Sequence, residues 1–412
     1  MSEAKSPLFN RTYLKIIIWI VAIAIVLLTA GQNKDPDFIR IKKRPDAPLY
    51  YVSQDKSPYL QLHFLLRTGV AINSDQQLLQ TLLQQQIEQQ LAGFAMQPLF
   101  TELEARIRTE ASADRITLVV TLPAKQSGAH DLIRKMTEAL LQQLNIYQPD
   151  SALEQRWAHL EAEQYLKLKE PESLLLSRFG NQISSPASVH PLQRFADFYR
   201  SSTAVSAMTL TLQGPDAEPL AETLAPLLSK SSNAPIILPV AIAPTRVRLE
   251  PVGNQTYQLW GIALPGRQQE DFVSELLAVR ALQQLLQQPD LATSRLIWKS
   301  LDKQGYLAMI LHGPQIRTDT DLSKIMEQLQ AQLDDELLDN TRAALQKSFH
   351  TQMEQTENQL SMLDTVAFYE LPADYLQRFE KSLVQTGNDK IRQKISSFLS
   401  NARHYQLILP AY

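Results

Sequence analysis

Two stretches of the chain carry residues whose types and spacing could support chemistry. The first is a glutamine-rich run from Gln80 to Gln89, in which Glu88 is the only ionisable side chain. The second is LEQRWAHLEAEQ, from Leu153 to Gln164, which carries three glutamates and a histidine. Carboxylates and imidazoles bind metal ions or move protons, whereas a neutral amide only exchanges hydrogen bonds. Metal or acid–base chemistry would therefore depend on the second stretch.

The elements that must position these residues are a strand, a turn and a helix. In LQLHFLLRTG the apolar residues alternate from Leu60 to Leu66, which predicts a half-buried strand that ends at Gly69. Ser74 and Asp75 then form a good helix start, and leucines at helical spacing follow as far as Leu91. The other face of this predicted helix carries the glutamines.

This strand, turn and helix resemble the opening of the pitrilysin/insulinase family of zinc peptidases, whose first helix carries the inverted zinc motif H-x-x-E-H. Two registers of the motif are open. The first reads Gln80, Leu83 and Gln84 at the motif positions, so both histidines and the glutamate are lost. The second reads Gln85, Glu88 and Gln89, so only the glutamate remains. No histidine lies between His63 and His130, and amides cannot replace two imidazoles, so we read the zinc site as lost and expect no cofactor.

The resemblance also implies a downstream glutamate ligand, which would fall at Glu161 in the first register, with a supporting glutamate at Glu154. Both residues lie on one side of a predicted helix, where glutamates are ordinarily solvated. His159 and Glu163, at i and i+4 on the same helix, could add to a metal cluster with Glu161. The alternative hypothesis is an active metallopeptidase with a rebuilt, non-standard metal site that uses Glu88, Glu154, Glu161 or His159.

The second half of the chain repeats the pattern of the first. Thr256–Leu264 is a predicted strand that ends at Pro265-Gly266, and an amphipathic helix follows at Gln269–Gln288. The sequence from Ser294 to Gly305 resembles the family's S-R-L block, whose Arg and Tyr hold the substrate backbone. Arg295 matches this block, but Leu301 and Ala308 stand at the family's Arg and Tyr positions, and Tyr306 lies off register. We therefore expect peptide binding of the family's kind to be altered.

Composition excludes several other classes of protein. The 412 residues are 44% hydrophobic and 20% charged, enough for a large core and more than one domain. A formal net charge of −3 gives no electrostatic case for nucleic acid. The absence of cysteine excludes disulfides, thiol nucleophiles and Cys-based zinc sites. No P-loop and no G-x-G-x-x-G motif occurs.

The N-terminal segment predicts a membrane anchor. Ile16–Ala30 is uninterrupted apolar sequence, and flanking residues could extend it across a bilayer. We expect a single-pass inner-membrane protein with its body on the periplasmic side. The alternative is a cleaved signal peptide, with small residues at Thr29-Ala30-Gly31 and secretion to the periplasm.

The predicted fold class is α+β, with two tandem homologous domains of the insulinase or mitochondrial-processing-peptidase type. Each domain would have a mostly antiparallel sheet with helices packed on one face. The predicted units are a cytoplasmic tip and transmembrane signal anchor at 1–31, a tether at 32–48, a first domain at 49–229, an extended Pro-rich linker at 230–244 and a second domain at 245–412. In the first domain, predicted strands are Leu49–Ser53, Tyr59–Thr68, Leu99–Thr109, Arg115–Leu122 and Ala207–Gln213, and predicted helices are Ser74–Leu91, Gly128–Ile146, Asp150–Leu168, Glu172–Ile183 and Pro191–Tyr199.

These expectations together favour a protein that is not an enzyme. The resemblance implies a non-catalytic homologue that acts as the partner or scaffold subunit of a zinc-peptidase heterodimer, or as a binder of extended peptides. The partners expected are an active zinc peptidase of the same family, extended peptides and the inner membrane, with no nucleic acid.

Overall fold

The computed structural model describes residues 38–94, 97–148, 151–184, 190–228, 245–267, 271–287, 293–400 and 404–412. The strands are β1 Lys42–Lys43, β2 Leu49–Ser53, β3 Tyr59–Arg67, β4 Arg106–Ala111, β5 Arg115–Pro123, β6 Met208–Gly214, β7 Thr245–Arg248, β8 Tyr257–Pro265, β9 Thr293–Ser300, β10 Gln304–His312 and β11 Tyr405–Leu409. The helices are α1 Ser74–Phe94, α2 Pro98–Glu102, α3 His130–Asn145, α4 Leu153–Lys167, α5 Pro171–Ile183, α6 Phe195–Thr203, α7 Ala217–Leu224, α8 Phe272–Leu286, α9 Leu322–Ala331, α10 Asp335–Met353, α11 Thr356–Phe368, α12 Tyr375–Gln385 and α13 Asn388–Leu399.

The strands form two mixed sheets with the same topology. The first has the order β1-β2-β6-β3-β5-β4 and the second β7-β11-β8-β10-β9. In each sheet one parallel pair, β2 with β6 or β7 with β11, joins an otherwise antiparallel set. The mostly antiparallel α+β class is therefore confirmed, and the recurring sheet order agrees with the repeat seen in the sequence.

The core of the first half lies between its sheet and its own helices. Leu60, Leu62, Phe64 and Leu66 of β3 are each 0% exposed and pack with the apolar side of α1. Leu78, Leu82 and Ile87 of α1 are in the same cluster. Alternation in the strand and helical spacing in α1 thus produce one continuous apolar layer, as the sequence predicts.

The predicted packing of each domain's helices on one face of its sheet is incomplete, because the opposite face is covered by a helix from the other half. Helix α11, from the second half of the chain, packs against the opposite face of the first sheet, where Leu65 meets Phe368 and Val366. Helix α5, from the first half, packs in the same way on the second sheet, where Phe179 lies against Gly261 of β8. The outer face of each sheet carries apolar residues, which require this reciprocal cover.

Polar groups also join the two halves where the β4–β5 and β9–β10 hairpins approach each other. Asp114, which is 2% exposed, accepts a hydrogen bond from the Tyr369 hydroxyl at 2.8 Å and one from the backbone N–H of Asp302 at 3.2 Å. The Arg67 guanidinium donates to Asp302 at 3.0 Å. Burial raises the pKa of the Asp302 carboxyl, and Arg67 opposes that rise. Buried hydrogen bonds therefore join the two halves at this contact, in addition to their apolar packing.

The turn into α1 differs in detail from the prediction. Gly69 adopts φ +73°, a backbone conformation that favours glycine. The helix is capped by Asn73 rather than by Ser74 and Asp75, because the Asn73 side chain accepts from the backbone N–H of Gln76 at 2.9 Å. The Gln76 side chain in turn accepts from the N–H groups of Ile72 and Asn73. This reciprocal capping fixes the direction of α1.

The predicted strand at Leu99–Thr109 is wrong in its first part. Residues Pro98–Glu102 form the short helix α2, with Pro98 at its first turn, and the strand β4 begins only at Arg106. Proline is favoured at the start of a helix because its missing N–H needs no partner there. Glu104, at φ +52°, turns the chain into β4.

The predicted inner-membrane localisation, with its periplasmic body, is contradicted. Among the residues that the structure describes, no helix has the length and apolar character needed to cross a bilayer. The longest, α1, carries eight glutamines, whose amides are costly to transfer into hydrocarbon. The most apolar, α8, spans about 22 Å, short of the roughly 30 Å of a bilayer core. The predicted anchor at residues 16–30 and the predicted linker at 230–244 lie outside the described residues.

Candidate functional site on the glutamine-rich helix

Helix α1 places the two registers of the motif in different environments. Two positions of the first register point inward: Leu83 is 0% exposed in the core, and Gln80 is 7% exposed and donates to the Thr68 hydroxyl at 2.8 Å. Its third position, Gln84, is half-buried and donates to Glu88 on the open side. The positions of the second register all lie on the open side, where Gln85 is half-buried and Glu88 and Gln89 are exposed. Only the second register therefore has all its positions within reach of a ligand from solvent.

Glu88 connects the open side of α1 to the strand β4. Its carboxylate accepts hydrogen bonds from the Gln84 amide at 2.9 Å and from the Thr109 hydroxyl. Glu88 therefore acts in this structure as an acceptor that ties α1 to the edge of the first sheet.

Arg156 of α4 contacts the other flank of the helix. Its guanidinium donates to the side-chain oxygen of Gln86 at 2.6 Å and to that of Gln89 at 2.7 Å. Gln86 is 2% exposed, and its amide nitrogen donates to the carbonyl of Gln148. Each amide thus acts as a neutral acceptor for a cation that lies beside the predicted zinc positions.

The glutamine side of α1 is fixed further along by a buried tyrosine. The Tyr199 hydroxyl shares its one hydrogen between the side-chain oxygen of Gln90 and the carbonyl of Leu144, the latter at 2.9 Å. Burial raises the pKa of the Tyr199 phenol to about 12, so this hydroxyl stays protonated and keeps donating. The amide nitrogen of Gln90 donates to the Ile146 carbonyl at 3.1 Å.

The acidic residues of α4 are not directed toward the glutamines. Glu161 lies 3.9 Å from the His190 ring, both groups about half exposed, and His159 pairs with Glu163 at 3.2 Å. Glu154 is exposed at the start of the helix. No group of three His, Asp or Glu side chains in the described part of the chain is arranged to hold a metal ion. The rebuilt metal site of the alternative hypothesis has no geometric support among these residues.

A zinc ion of the kind that the family resemblance implies does not fit this helix. Positions 85 and 89 offer amides in place of imidazoles, and the donor set lacks the anionic charge that compensates a dication. The Arg156 guanidinium adds a positive charge beside Gln89. We therefore derive no metal-dependent step from this site.

The residues of the predicted substrate-binding block lie in the second half and serve its packing. Ala308 is 0% and Leu301 7% exposed, and both belong to the core under α5. Tyr306 makes an edge-to-face contact with Phe179 at 5.8 Å, and burial raises the pKa of its phenol. Arg295 is exposed and pairs with Glu172 at 2.7 Å. The structure does not bring this block to α1.

An open sheet edge lies next to the glutamine-rich helix. Strand β4 is the last strand of the first sheet and pairs only with β5 among the described strands. A cavity of about 380 Å³ lies between β4 and α1 and is lined by Glu88, Leu91 and Ile107 among others. A larger cavity of about 1090 Å³ lies on the other side of the sheet, with Arg108 and Glu110 in its wall.

The sequence alone did not identify two residues of this site. Arg156 gave only a weak signal, an arginine between the apolar positions Leu153 and Trp157 of a predicted helix. The sequence pattern predicts that Thr109 lies in a strand, but it does not indicate a contact with Glu88. Both contacts join residues far apart in the chain, and helix periodicity carries no information about such pairs.

Comparisons with known proteins agree with the architecture. No protein-family model matches the sequence, and no curated protein matches it. Among solved structures, the peptidase M16 inactive domain from Pseudomonas fluorescens superposes with a TM-score of 0.68 at 14% identity, covering 91% of this chain and 98% of that one. A protease from Helicobacter pylori gives a TM-score of 0.65 at 11% identity, with 90% and 98% covered. A mutant of the ferredoxin protease FusC in complex with Arabidopsis ferredoxin gives 0.56 at 12% identity, with 91% and 46% covered.

These similarities show the fold: the chain has the architecture of insulinase/pitrilysin-type (M16) peptidases. Identities of this size are too low to transfer an activity from the neighbours, because one fold hosts many functions.

Proposed function

We propose that this protein is a non-catalytic homologue of the M16 peptidases that binds extended polypeptide along β4 and acts as the partner subunit of an active peptidase. The observation that carries the proposal is the Arg156 contact with Gln86 and Gln89 beside an open sheet edge. The cavity between β4 and α1 is bordered by many hydrogen-bonding groups. Arg156, however, contacts the helix at the place where a metal site would need anionic ligands.

We infer that the second register relates α1 to the zinc helix of the family. In the first register the catalytic glutamate would replace Leu83, which lies in the apolar core. A carboxylate buried there would have no partner and would oppose folding. The second register keeps Glu88 and places all three motif positions on the open side of the helix.

Binding at β4 follows from the unsatisfied hydrogen-bonding groups of an edge strand. Such an edge pairs with an added strand, and the main-chain hydrogen bonds supply affinity that is independent of sequence. The glutamines of α1 border this edge and can exchange hydrogen bonds with a peptide without the desolvation cost of a charge. The FusC structure, of the same fold, is a complex with a protein ligand, which is consistent with a binding role.

Proline substitution in β4 tests this site. Successive N–H groups of an edge strand point alternately toward the partner strand and outward. Of the variants Arg108→Pro and Thr109→Pro, one therefore removes an outward donor and leaves the pairing with β5 intact. We expect that variant to keep the wild-type thermal midpoint and to lose binding of a fluorescein-labelled, carboxymethylated unfolded polypeptide, measured by anisotropy. If both variants fold and bind like the wild type, β4 is not the binding site.

The partner role has a separate test. Pull-down of the tagged full-length protein from its own cells should recover an M16-type peptidase with an intact H-x-x-E-H motif, and mixing the two should raise that peptidase's hydrolysis of an unfolded polypeptide. Recovery of this chain alone, together with unchanged hydrolysis, would contradict the partner role and leave peptide binding as the function.

A further inference from the structure

The two cavities that flank β4 differ in chemistry. The smaller one, between β4 and α1, is lined by the apolar Leu91, Ala92 and Ile107 together with Glu88, Arg108 and Thr109. Leu91 is 2% exposed, so the apolar surface here comes from the exposed Ala92 and the half-buried Ile107, which packs against the main core.

The larger cavity is lined mainly by polar residues and carries both signs of charge. The outward side chains of β3 to β5 form part of its lining, among them Gln61, Arg108, Glu110 and Arg115. Lys56 lies in the β2–β3 loop and Glu357 near the start of α11, on other sides of the same cavity. Arg108 and Glu110 form an exposed ion pair at 3.1 Å, an arrangement that contributes little and can rearrange around a ligand.

The side chains of β4 are distributed between these two environments by strand geometry. Ile107 and Thr109 pair with Val120 and Leu118, which face the apolar core. Arg108 lies between them in the strand and points to the other face. A peptide strand added to β4 continues the same pleat, so its successive side chains fall alternately on the apolar and on the polar side.

We propose that this edge selects extended segments in which apolar and polar residues alternate strictly, as in β-strands with one apolar face. The inference rests on the proposed binding of polypeptide at β4 and specifies its ligand class. Every second side chain of such a segment is buried against Ala92 and Ile107, and the others reach groups that accept either charge. A segment of the same composition without alternation places polar groups on the apolar side and leaves apolar groups in the polar cavity.

The test compares two labelled nine-residue peptides of identical composition, Leu, Thr, Lys and Glu, one strictly alternating and one with its leucines in a block. Fluorescence anisotropy with the full-length protein should show that the alternating peptide binds at least about tenfold more tightly. Ala92→Asp places a charge at the apolar cavity and should remove most of this difference. Its matched control, Ala162→Asp, changes an exposed residue of α4 and should leave the difference unchanged.

The outcomes separate this inference from the proposed function. Equal affinity for the two peptides, or the same effect of both Ala→Asp variants, overturns the selection of alternating segments and leaves polypeptide binding at β4 in place. If neither peptide binds and the unfolded polypeptide does not bind either, the proposed function is overturned, and this inference with it.

Discussion

Reconstruction of a zinc site on α1 should require removal of Arg156 as well as restoration of histidines. We predict that Gln85→His combined with Gln89→His, which keeps Glu88, binds zinc weakly. Adding Arg156→Glu should strengthen zinc binding by about 10- to 100-fold, because it removes a cation and supplies a carboxylate from α4.

The magnitude follows from the contacts of Arg156. Its guanidinium is 2.7 Å from the Gln89 oxygen, so a zinc ion about 2 Å from a ligand at position 89 would lie within about 5 Å of it. At an effective dielectric constant of about 20, the repulsion would be about 7 kcal/mol. The arginine avoids this by moving away, which costs its hydrogen bond to the buried Gln86, about 1.5–3 kcal/mol. Because moving away costs less than the repulsion, the lost hydrogen bond sets the penalty on zinc binding. A penalty of about 1.5–3 kcal/mol corresponds to the predicted gain of about 10- to 100-fold in zinc affinity.

The assay is competition with a chromophoric zinc chelator, with unfolding followed in parallel. The variant Gln85→His, Gln89→His, Arg156→Gln separates loss of the cation from gain of a ligand, and loss of the cation alone should supply most of the gain in affinity. The first-register set, Gln80→His, Leu83→Glu and Gln84→His, should lose more than about 3 kcal/mol of stability, because Leu83 is 0% exposed. Equal zinc affinity with and without Arg156, or a stable first-register variant that binds zinc, would refute the reasoning.

Two further predictions concern stability. Glu275 is 4% exposed and accepts a hydrogen bond from the Trp298 indole at 2.7 Å, and burial raises the pKa of its carboxyl. Stability is therefore lost as the pH rises above the ordinary pKa of a glutamate, because the unfolded chain ionises first. Glu275→Gln should therefore raise the calorimetric midpoint by about 1–3 °C at pH 8 and have little effect near pH 4, and an equal effect at both pH values would contradict this account. Gly261→Ala would place a Cβ 2.5 Å from the Phe179 ring at the contact between the halves and should cost about 1–3 kcal/mol in urea unfolding. Gly128→Ala, with no atom within 4 Å, is the matched control, and similar losses for both would show that the ring moves aside freely.

The sequence by itself determined the local elements and the absence of histidine from helix α1. Alternation from Leu60 to Leu66 predicted β3 within one residue of its end. The lack of histidine between His63 and His130 is a property of composition that no fold can change. Periodicity and residue type are local quantities, so the chain expresses them before any tertiary contact forms.

Only the tertiary structure decided which groups meet. The burial of Leu83 and the openness of Gln85 and Gln89 depend on how α1 lies on its sheet, and the amphipathic pattern alone allowed both registers. The pairing of Arg156 with Gln86 joins two helices across many residues of chain. The cover of each sheet by a helix from the other half also depends on long-range packing. An apolar face of a sheet must be covered, but the residues of that face do not determine which element covers it.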